Sequence, residues 1–225
     1  MFKINNTNYS GNNTVEVYFI SWYGCPNDAT SSWALYLVLS KYGEVGDAPH
    51  GFHFLESVNS SMPGLIFTKF TATSYVDFHF LYIYNQYLNE TTTGIPITNL
   101  LSNQAVYLGL EEVKNMTPSW VYNIVYTYQV ETKTLDERNG SVALYAHHLV
   151  TMCVITGPKG TWAFILYPNP LTPSTILRDF GVSRLTPLQA QKEAQLELSQ
   201  MAEGKVPSSI LQASDNLINV IKEAE

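Results

Sequence analysis

The chain is organised around the sequence Val15-Glu16-Val17-Tyr18-Phe19-Ile20-Ser21-Trp22-Tyr23-Gly24-Cys25-Pro26-Asn27-Asp28. Residues 15–21 form a nearly continuous apolar run, which is typical of a central β-strand that is covered on both faces. The residues after Pro26 predict a helix over about 29–42, which Gly43 ends. The pattern therefore predicts a strand that leads to Cys25 at the N-terminus of a helix.

Cys25 is the candidate catalytic residue of this stretch, together with Asp28. Unpaired backbone N–H groups at a helix N-terminus favour a thiolate, so this position is typical of a redox cysteine. Exchange by a Cys-x-x-Cys motif needs a second thiol three residues later, and Asp28 stands there instead. The alternative interpretation is structural, because a carboxylate in the first turn also complements the helix dipole.

The same stretch carries a family resemblance. The segments 20–29, Ser32-Trp33-Ala34-Leu35 and Leu39-Ser40-Lys41-Tyr42-Gly43 resemble the signature of domain-of-unknown-function family 929. Archaeal and actinobacterial members of that family typically read Glu-Tyr-Cys-Pro-Tyr-Cys, then Arg-Trp-Ala-Leu, then Leu-Ser-Arg-Phe-Gly. The resemblance is specific over about residues 15–45.

The resemblance implies a thioredoxin-like protein whose function is undetermined. Two departures from the family pattern bear on catalysis. Asp28 replaces the second cysteine, and no proline lies between Gly140 and Cys153, where the resemblance places the cis-proline loop that faces the thiol. Pro63 is the other candidate for that role, and it lies early in the chain.

The predicted fold class is α/β, with a thioredoxin-like central mixed sheet flanked by helices. Its last two strands are predicted as a hairpin across Gly157-Pro158-Lys159-Gly160. We expect a flexible N-terminal segment over 1–14 and the thioredoxin-like domain over 15–182, with an insertion at about 60–135. Residues 183–225 are expected to form a C-terminal helical extension that packs on the same domain.

Three further elements are predicted from local patterns. Residues 120–130 alternate between apolar and polar side chains, which favours a strand. Thr186-Pro187 is typical of a helix start, and Ser208 is predicted to cap the final helix. That helix carries one apolar stripe, formed by Ile210, Leu211, Leu217, Ile218 and Ile221.

The composition restricts the kind of partner. Charged residues make up only 14% of the chain and its net charge is -7, with 12 lysines and arginines against 19 acids. Because phosphate binding needs clustered cations, this balance argues against a nucleic-acid partner. No stretch is long enough and apolar enough to predict a membrane span.

Seven Asn-x-Ser/Thr sequons suggest an extracytoplasmic protein, because this number is about twice that expected by chance from 17 asparagines and 38 serines and threonines. A chain rich in these residues also produces such sequons accidentally. We expect an exported or cell-surface protein, tethered to a membrane by a segment outside this sequence. The candidate glycosylation sites are Asn5, Asn8, Asn12, Asn59, Asn89 and Asn139, whereas Pro118 weakens the seventh sequon, at Asn115.

Cys153 has two interpretations. It lies in an apolar strand, where a free cysteine usually behaves as a small buried hydrophobe. In an exported chain it could instead pair with Cys25 in a structural disulfide. No metal site or cofactor is predicted, since the adjacent His147 and His148 would point to opposite faces of a strand and His50 and His53 only loosely match a ligand spacing.

Two functional hypotheses remain open from the sequence. In the first, the chain is an extracytoplasmic thioredoxin-like domain that is degenerate for dithiol exchange and binds a partner or stabilises a surface assembly. In the second, it is a monothiol thiol–disulfide oxidoreductase in which Cys25 forms mixed disulfides with a thiol substrate and an external thiol resolves them. Asp28 excludes intramolecular resolution but leaves monothiol chemistry open.

Overall fold

A computed structural model describes residues 1–54, 57–132 and 141–225, with residues 47–54 and 57–60 described by their backbone alone. The strands are β1 (Phe2–Asn5), β2 (Val15–Ser21), β3 (Gly43–Phe54), β4 (Ser57–Ala72), β5 (Val76–Tyr82), β6 (Met152–Gly157) and β7 (Gly160–Ile165). The helices are α1 (Pro26–Leu39), α2 (Gln104–Met116), α3 (Ser119–Tyr126), α4 (Val142–Ala146), α5 (Pro173–Asp179), α6 (Pro187–Ala202) and α7 (Ser208–Ala224). A π-helix, Thr127–Glu131, continues α3 directly.

A five-stranded mixed sheet forms the centre of the molecule, with the strand order β1-β7-β6-β2-β5. Strand β2 pairs in parallel with β5 on one side and antiparallel with β6 on the other. Strands β6 and β7 form the predicted antiparallel hairpin. The α/β class with a central mixed sheet and flanking helices is confirmed, and this connectivity is consistent with a thioredoxin-like fold.

The central sheet is buried on both faces, which explains the apolar run of β2. Successive residues of a strand point to opposite faces. Val17 and Phe19 accordingly lie in one hydrophobic cluster with α1 and α7, while Tyr18 and Ile20 lie in a second cluster with α2 and α3. Helices therefore cover both faces of the sheet, and the molecule has a separate core on each side.

The long strands β3 and β4 pair with each other as a second, two-stranded antiparallel sheet. Their chain segment connects α1 to β5, and β4 contacts both of these elements. The aromatic ring of Phe67 on β4 lies edge-on to Phe78 of β5, with ring centroids 5.1 Å apart. This pair of strands thus adds apolar cover to the α1 face of the sheet.

The N-terminal segment differs from the expected flexible stretch over 1–14. Residues 2–5 form β1, which pairs antiparallel with the outer edge of β7. Tyr9 continues this attachment, because its N–H donates to the Thr156 hydroxyl at 3.1 Å and its ring stacks on Trp120. A polar segment can be ordered in this way when a sheet edge offers it unpaired backbone groups.

The prediction of a strand over 120–130 is wrong, because this region is helical. Its buried residues Val121, Ile124 and Val125 recur at the spacing of a helix face. The rings of Tyr122 and Tyr126, one helical turn apart, stack with centroids 6.1 Å apart. Over so short a range, apolar and aromatic residues at every second position are compatible with a strand and with a helix. The buried residues at spacings of three and four identify the helix.

The C-terminal helices pack against the α1 face. Leu217 and Ile221 of α7 are buried in the same cluster as Trp33 of α1. Lys159 in the β6–β7 turn donates its N–H to the carbonyl of Ala224 at 3.0 Å, which attaches the end of α7 to the sheet. Leu211, predicted within the apolar stripe, is instead 47% exposed, because it lies at the edge of the buried face.

The described helices include none that is long and apolar enough to cross a lipid bilayer.

Candidate functional site

Cys25 occupies the N-cap position of α1, directly after a tight turn at the end of β2. Its backbone is extended, with φ −75° and ψ 118°, and its carbonyl accepts the N–H of Ala29 at 3.1 Å. Gly24 is required in this turn because a Cβ there would lie 2.2 Å from the carbonyl oxygen of Gln86. The predicted placement of the thiol between strand and helix is therefore observed, although α1 begins at Pro26 and ends at Leu39.

The Cys25 thiol is enclosed by protein, with only 1% of the residue exposed. Its sulfur shares a hydrogen bond with the Oγ1 of Thr151 at 3.1 Å, and that oxygen lies 2.8 Å from the Oγ of Ser21. Burial raises the pKa of the thiol, against the lowering effects of Thr151 and of the backbone N–H groups of Asp28 and Asn27. The environment thus favours a neutral thiol over a thiolate.

Thr151 is a site residue that was not predicted from the sequence. It immediately precedes β6, within the segment 141–152 where the resemblance places the cis-proline loop and where this chain has no proline. The structure places its hydroxyl against the Cys25 sulfur. The signal that could have identified it was its position, since the resemblance places a loop that faces the thiol between Gly140 and Cys153.

Asp28 lies in the first turn of α1 and is completely buried. Neither of its carboxyl oxygens has a hydrogen-bond partner within the described part of the chain. Burial raises the pKa of this carboxyl well above its ordinary value. Burial therefore favours the neutral form of Asp28, and a charge on this carboxyl would raise the pKa of Cys25 further.

Tyr82 closes the site on the β5 side. Its hydroxyl accepts the N–H of Phe67 at 2.8 Å, and its ring stacks on Tyr23 with centroids 4.6 Å apart. Burial raises the pKa of the Tyr82 hydroxyl, and the nearby Asp28 carboxyl adds to the effect. The Tyr82 hydroxyl and the Asp28 carboxyl are thus both separated from solvent.

Trp22 and His148 lie near Cys25 on the α2 side of the central sheet. Their rings meet edge to face at 5.5 Å, and burial lowers the pKa of His148 to about 4, so the imidazole is neutral at physiological pH. The indole Nε1 of Trp22 is buried without a hydrogen-bond partner among the described residues. His147 and His148 do not lie on a strand as predicted, because His147 ends α4 in a left-handed conformation with φ 60°.

The alternative of a disulfide between Cys25 and Cys153 is not observed, and both thiols are free. Cys153 lies opposite Phe19 in the β2–β6 pairing and points into the α1-side cluster, whereas Cys25 belongs to the α2-side cluster. A strand residue cannot reach the opposite face of its own sheet. Burial raises the pKa of the Cys153 thiol, which fits its interpretation as a small buried hydrophobe.

The predicted glycosylation sites differ in their surroundings. Asn12 and Asn89 are exposed, and Asn5 and Asn8 are half-buried near β1. The backbone of Asn59 lies in β4, but its side chain is not described, and Asn139 lies outside the described residues. The described side chains contain no cluster of three or more histidine, cysteine or acidic residues that could hold a metal ion, and those of His50 and His53 are not among them.

A protein-family model, described as "Domain of unknown function (DUF929)", matches residues 1–223. The chain belongs to the DUF929 family. This match extends the resemblance from the region of Cys25 to almost the whole chain. No curated protein and no solved structure matches the chain at a significant level.

Proposed function

We propose that this DUF929 member is an extracytoplasmic thioredoxin-like domain that has lost dithiol exchange and acts by binding a protein partner or stabilising a surface assembly. The observation behind the proposal is the environment of Cys25. The Cys25 thiol is 1% exposed, and the residue three positions later is a buried carboxyl rather than a second thiol.

Dithiol exchange requires two properties that this site lacks. A thiolate must reach the sulfur of a substrate disulfide, and a second thiolate must then release the mixed disulfide. Burial disfavours the thiolate of Cys25, and the carboxyl of Asp28 cannot displace sulfur from sulfur. Cys153 cannot substitute as the second thiol, because it lies in the core on the opposite face of the sheet.

The extracytoplasmic location is supported by the enrichment in sequons and by the scarcity of charge. Asn12 and Asn89 are exposed, as a glycosylated asparagine must be. The net charge of -7 supports a protein rather than a nucleic acid as the partner.

Monothiol oxidoreduction is the second candidate function. The observation in its favour is the position of Cys25 at the start of α1, where the backbone N–H groups of Asn27 and Asp28 lower the pKa of the thiol. In this mechanism a substrate disulfide would be attacked once, and an external thiol would resolve the product. It requires an opening of the site that exposes the sulfur.

Insulin reduction by dithiothreitol tests the proposal. We expect the purified chain to give no rate above that of the reagent alone, and we expect one equivalent of iodoacetamide to label the native protein far more slowly than the unfolded protein. Cys153→Ser isolates the Cys25 signal in the labelling experiment. Turnover that persists in Cys153→Ser and disappears in Cys25→Ser would contradict the proposal and support the monothiol enzyme.

Asp28→Cys provides a gain-of-function comparison. If the missing second thiol limits exchange, this variant should gain insulin reductase activity that the parent chain lacks. A variant with a second thiol that folds and remains inactive would show that the burial of Cys25 is the dominant barrier.

A further inference from the structure

A second surface feature lies away from Cys25, between the N-terminal strand and the helical segment that follows α2. It is a groove of about 320 Å³ whose floor and walls include Asn5, Tyr9, Trp120, Asn123, Thr127 and Tyr128. This volume is at the lower end of the range of about 300–1,000 Å³ that is typical of small-ligand sites. The groove therefore has the size for one or two small rings.

Helical geometry explains why these side chains converge. Four of the lining residues lie on one face of α3 and its π-helical continuation, because they are three, four and one positions apart. They are Trp120, Asn123, Thr127 and Tyr128. A π-helical turn is frequent at functional sites because its extra residue changes the direction of the side chains that follow. The opposite wall comes from β1 and the residues after it. The groove therefore forms only when residues 120–128 are helical and pack beside the N-terminal segment, which a strand at 120–130 would not allow.

The aromatic rings of the groove are held in fixed orientations. Tyr9 stacks on Trp120, with ring centroids 4.9 Å apart and an interplanar angle of 11°, and Tyr18 meets the same indole edge-on at 5.2 Å. The ring of Tyr128 contacts Phe2 at 5.3 Å. Rings that are fixed before binding lose little conformational entropy when a ligand packs on them.

The polar groups of the groove are amides and hydroxyls, and none of its lining side chains is charged. Asn5 donates its amide to the Tyr9 hydroxyl at 3.1 Å, and Thr127 donates its hydroxyl to Glu131 at 3.3 Å. The exposed amide of Asn123 makes no hydrogen bond within the described part of the chain. These groups can donate to and accept from hydroxyls, while nothing in the lining would neutralise an ionic ligand.

From this combination we infer that the groove binds a neutral saccharide. The apolar face of a pyranose ring packs on aromatic rings, and its hydroxyls need the donors and acceptors that amides supply. Such a ligand has two sources: a free saccharide, or the protein's own glycan on the sequon residue Asn5, whose amide forms part of the wall. The inference is independent of the chemistry proposed for Cys25.

Intrinsic fluorescence can report binding, because Trp120 is the half-exposed tryptophan whereas Trp22, Trp33 and Trp162 are buried. In the first arm, the full chain from a host without N-glycosylation is titrated with maltose, cellobiose, chitobiose and mannobiose. We expect saturable binding of at least one disaccharide with a Kd of about 1 mM or tighter. Saturation-transfer NMR identifies which ring protons of the sugar contact the protein.

Matched variants localise the binding. Asn123→Ala should weaken it about fivefold, the effect of one lost hydrogen bond, while Asn219→Ala, another exposed helical asparagine, should leave it unchanged. Trp120→Ala removes the fluorescent reporter, so its binding is measured by saturation-transfer NMR alone. It should show no transfer to the sugar, with Tyr122→Ala on the same helix as its control. Because Asn123 is exposed, its variant tests the groove even if Trp120→Ala fails to fold.

The second arm uses protein from an N-glycosylating host and compares it with Thr7→Ala, which removes the sequon of Asn5 but keeps the asparagine. If the glycan is the ligand, acrylamide should quench Trp120 less in the glycosylated chain than in Thr7→Ala, and Asn123→Ala should remove that protection. Binding in either arm supports the inference and identifies its source. The absence of binding and of protection in both arms, or an effect insensitive to Asn123→Ala, would overturn it.

Discussion

The sulfur of Cys25 and the hydroxyl of Thr151, 126 residues apart in sequence, share a buried hydrogen bond of 3.1 Å. The same hydroxyl lies 2.8 Å from the Oγ of Ser21, so it links the end of β2, the start of β6 and the N-cap of α1. These contacts provide a structural role for the thiol that does not depend on redox chemistry.

Thr151→Val tests this link, because it keeps the shape of the side chain and removes the hydroxyl. We expect a loss of about 1–3 kcal/mol in the free energy of unfolding, since buried hydroxyl and thiol groups lose their partner. Because the hydrogen bond from Thr151 lowers the pKa of Cys25, the pH at which alkylation of Cys25 is half-maximal should rise.

Thr156→Val is the matched control, because Thr156 is also buried in the sheet and shares a hydrogen bond with Thr161 at 2.7 Å. It should lower stability in urea denaturation without moving the pH profile of Cys25 alkylation. Equal profiles for the parent chain and Thr151→Val would show that the hydroxyl does not influence the thiol.

Asp28→Asn should stabilise the protein at neutral pH. The carboxyl has a raised pKa in the folded state, so the unfolded chain releases its proton near the ordinary pKa of about 3.9 while the folded chain retains it. The contribution of Asp28 to stability is therefore fully present below about pH 4 and is lost as the pH rises toward the folded-state pKa.

The measurement is the melting temperature of both proteins between about pH 4 and pH 7. Because asparagine cannot ionise, the advantage of Asp28→Asn should increase with pH over this window. Asp215→Asn, at an exposed position on α7, should give a profile parallel to that of the parent chain. Parallel profiles for Asp28→Asn would contradict the raised pKa of this buried carboxyl.

Leu217→Ala should destabilise the chain by about 2–5 kcal/mol, as expected for a large-to-small change in a core. Leu217 is 1% exposed and packs in the cluster that contains α1, whereas Leu211 on the same helix is 47% exposed. Leu211→Ala should therefore change the stability by no more than about 0.5 kcal/mol. Chemical denaturation of both variants measures the difference, and similar losses would disprove the packing of α7.

Thr186→Ala should cost about 1 kcal/mol, because it removes a capping box at the start of α6. The Thr186 hydroxyl accepts the N–H of Gln189, and the Gln189 side chain accepts the N–H of Thr186 at 2.9 Å. Ser208 was predicted as the cap of the final helix, but it is the first residue of α7. The N-cap is Pro207, and no side chain caps this helix. Ser208→Ala should consequently be nearly neutral, and an equal loss in the two variants would reverse this assignment.

Local sequence features were sufficient to predict several parts of the molecule. The apolar run of β2, the turn before Cys25, the β6–β7 hairpin and the start of α6 all depend on neighbouring residues, because strand periodicity and capping are short-range effects. The resemblance around Cys25 likewise identified the family that the match over residues 1–223 shows. Asp28 could be placed beside Cys25 for the same reason, since both belong to one turn of a helix.

Long-range packing determined the remaining features. The burial of Cys25, its contact with Thr151 and its separation from Cys153 depend on which sheet face each side chain occupies. The helical state of residues 120–130 and the attachment of β1 also required partners far away in sequence. A local pattern specifies which side chains are apolar, but the free energy of burial depends on the surfaces that cover them, and these form only when distant segments meet.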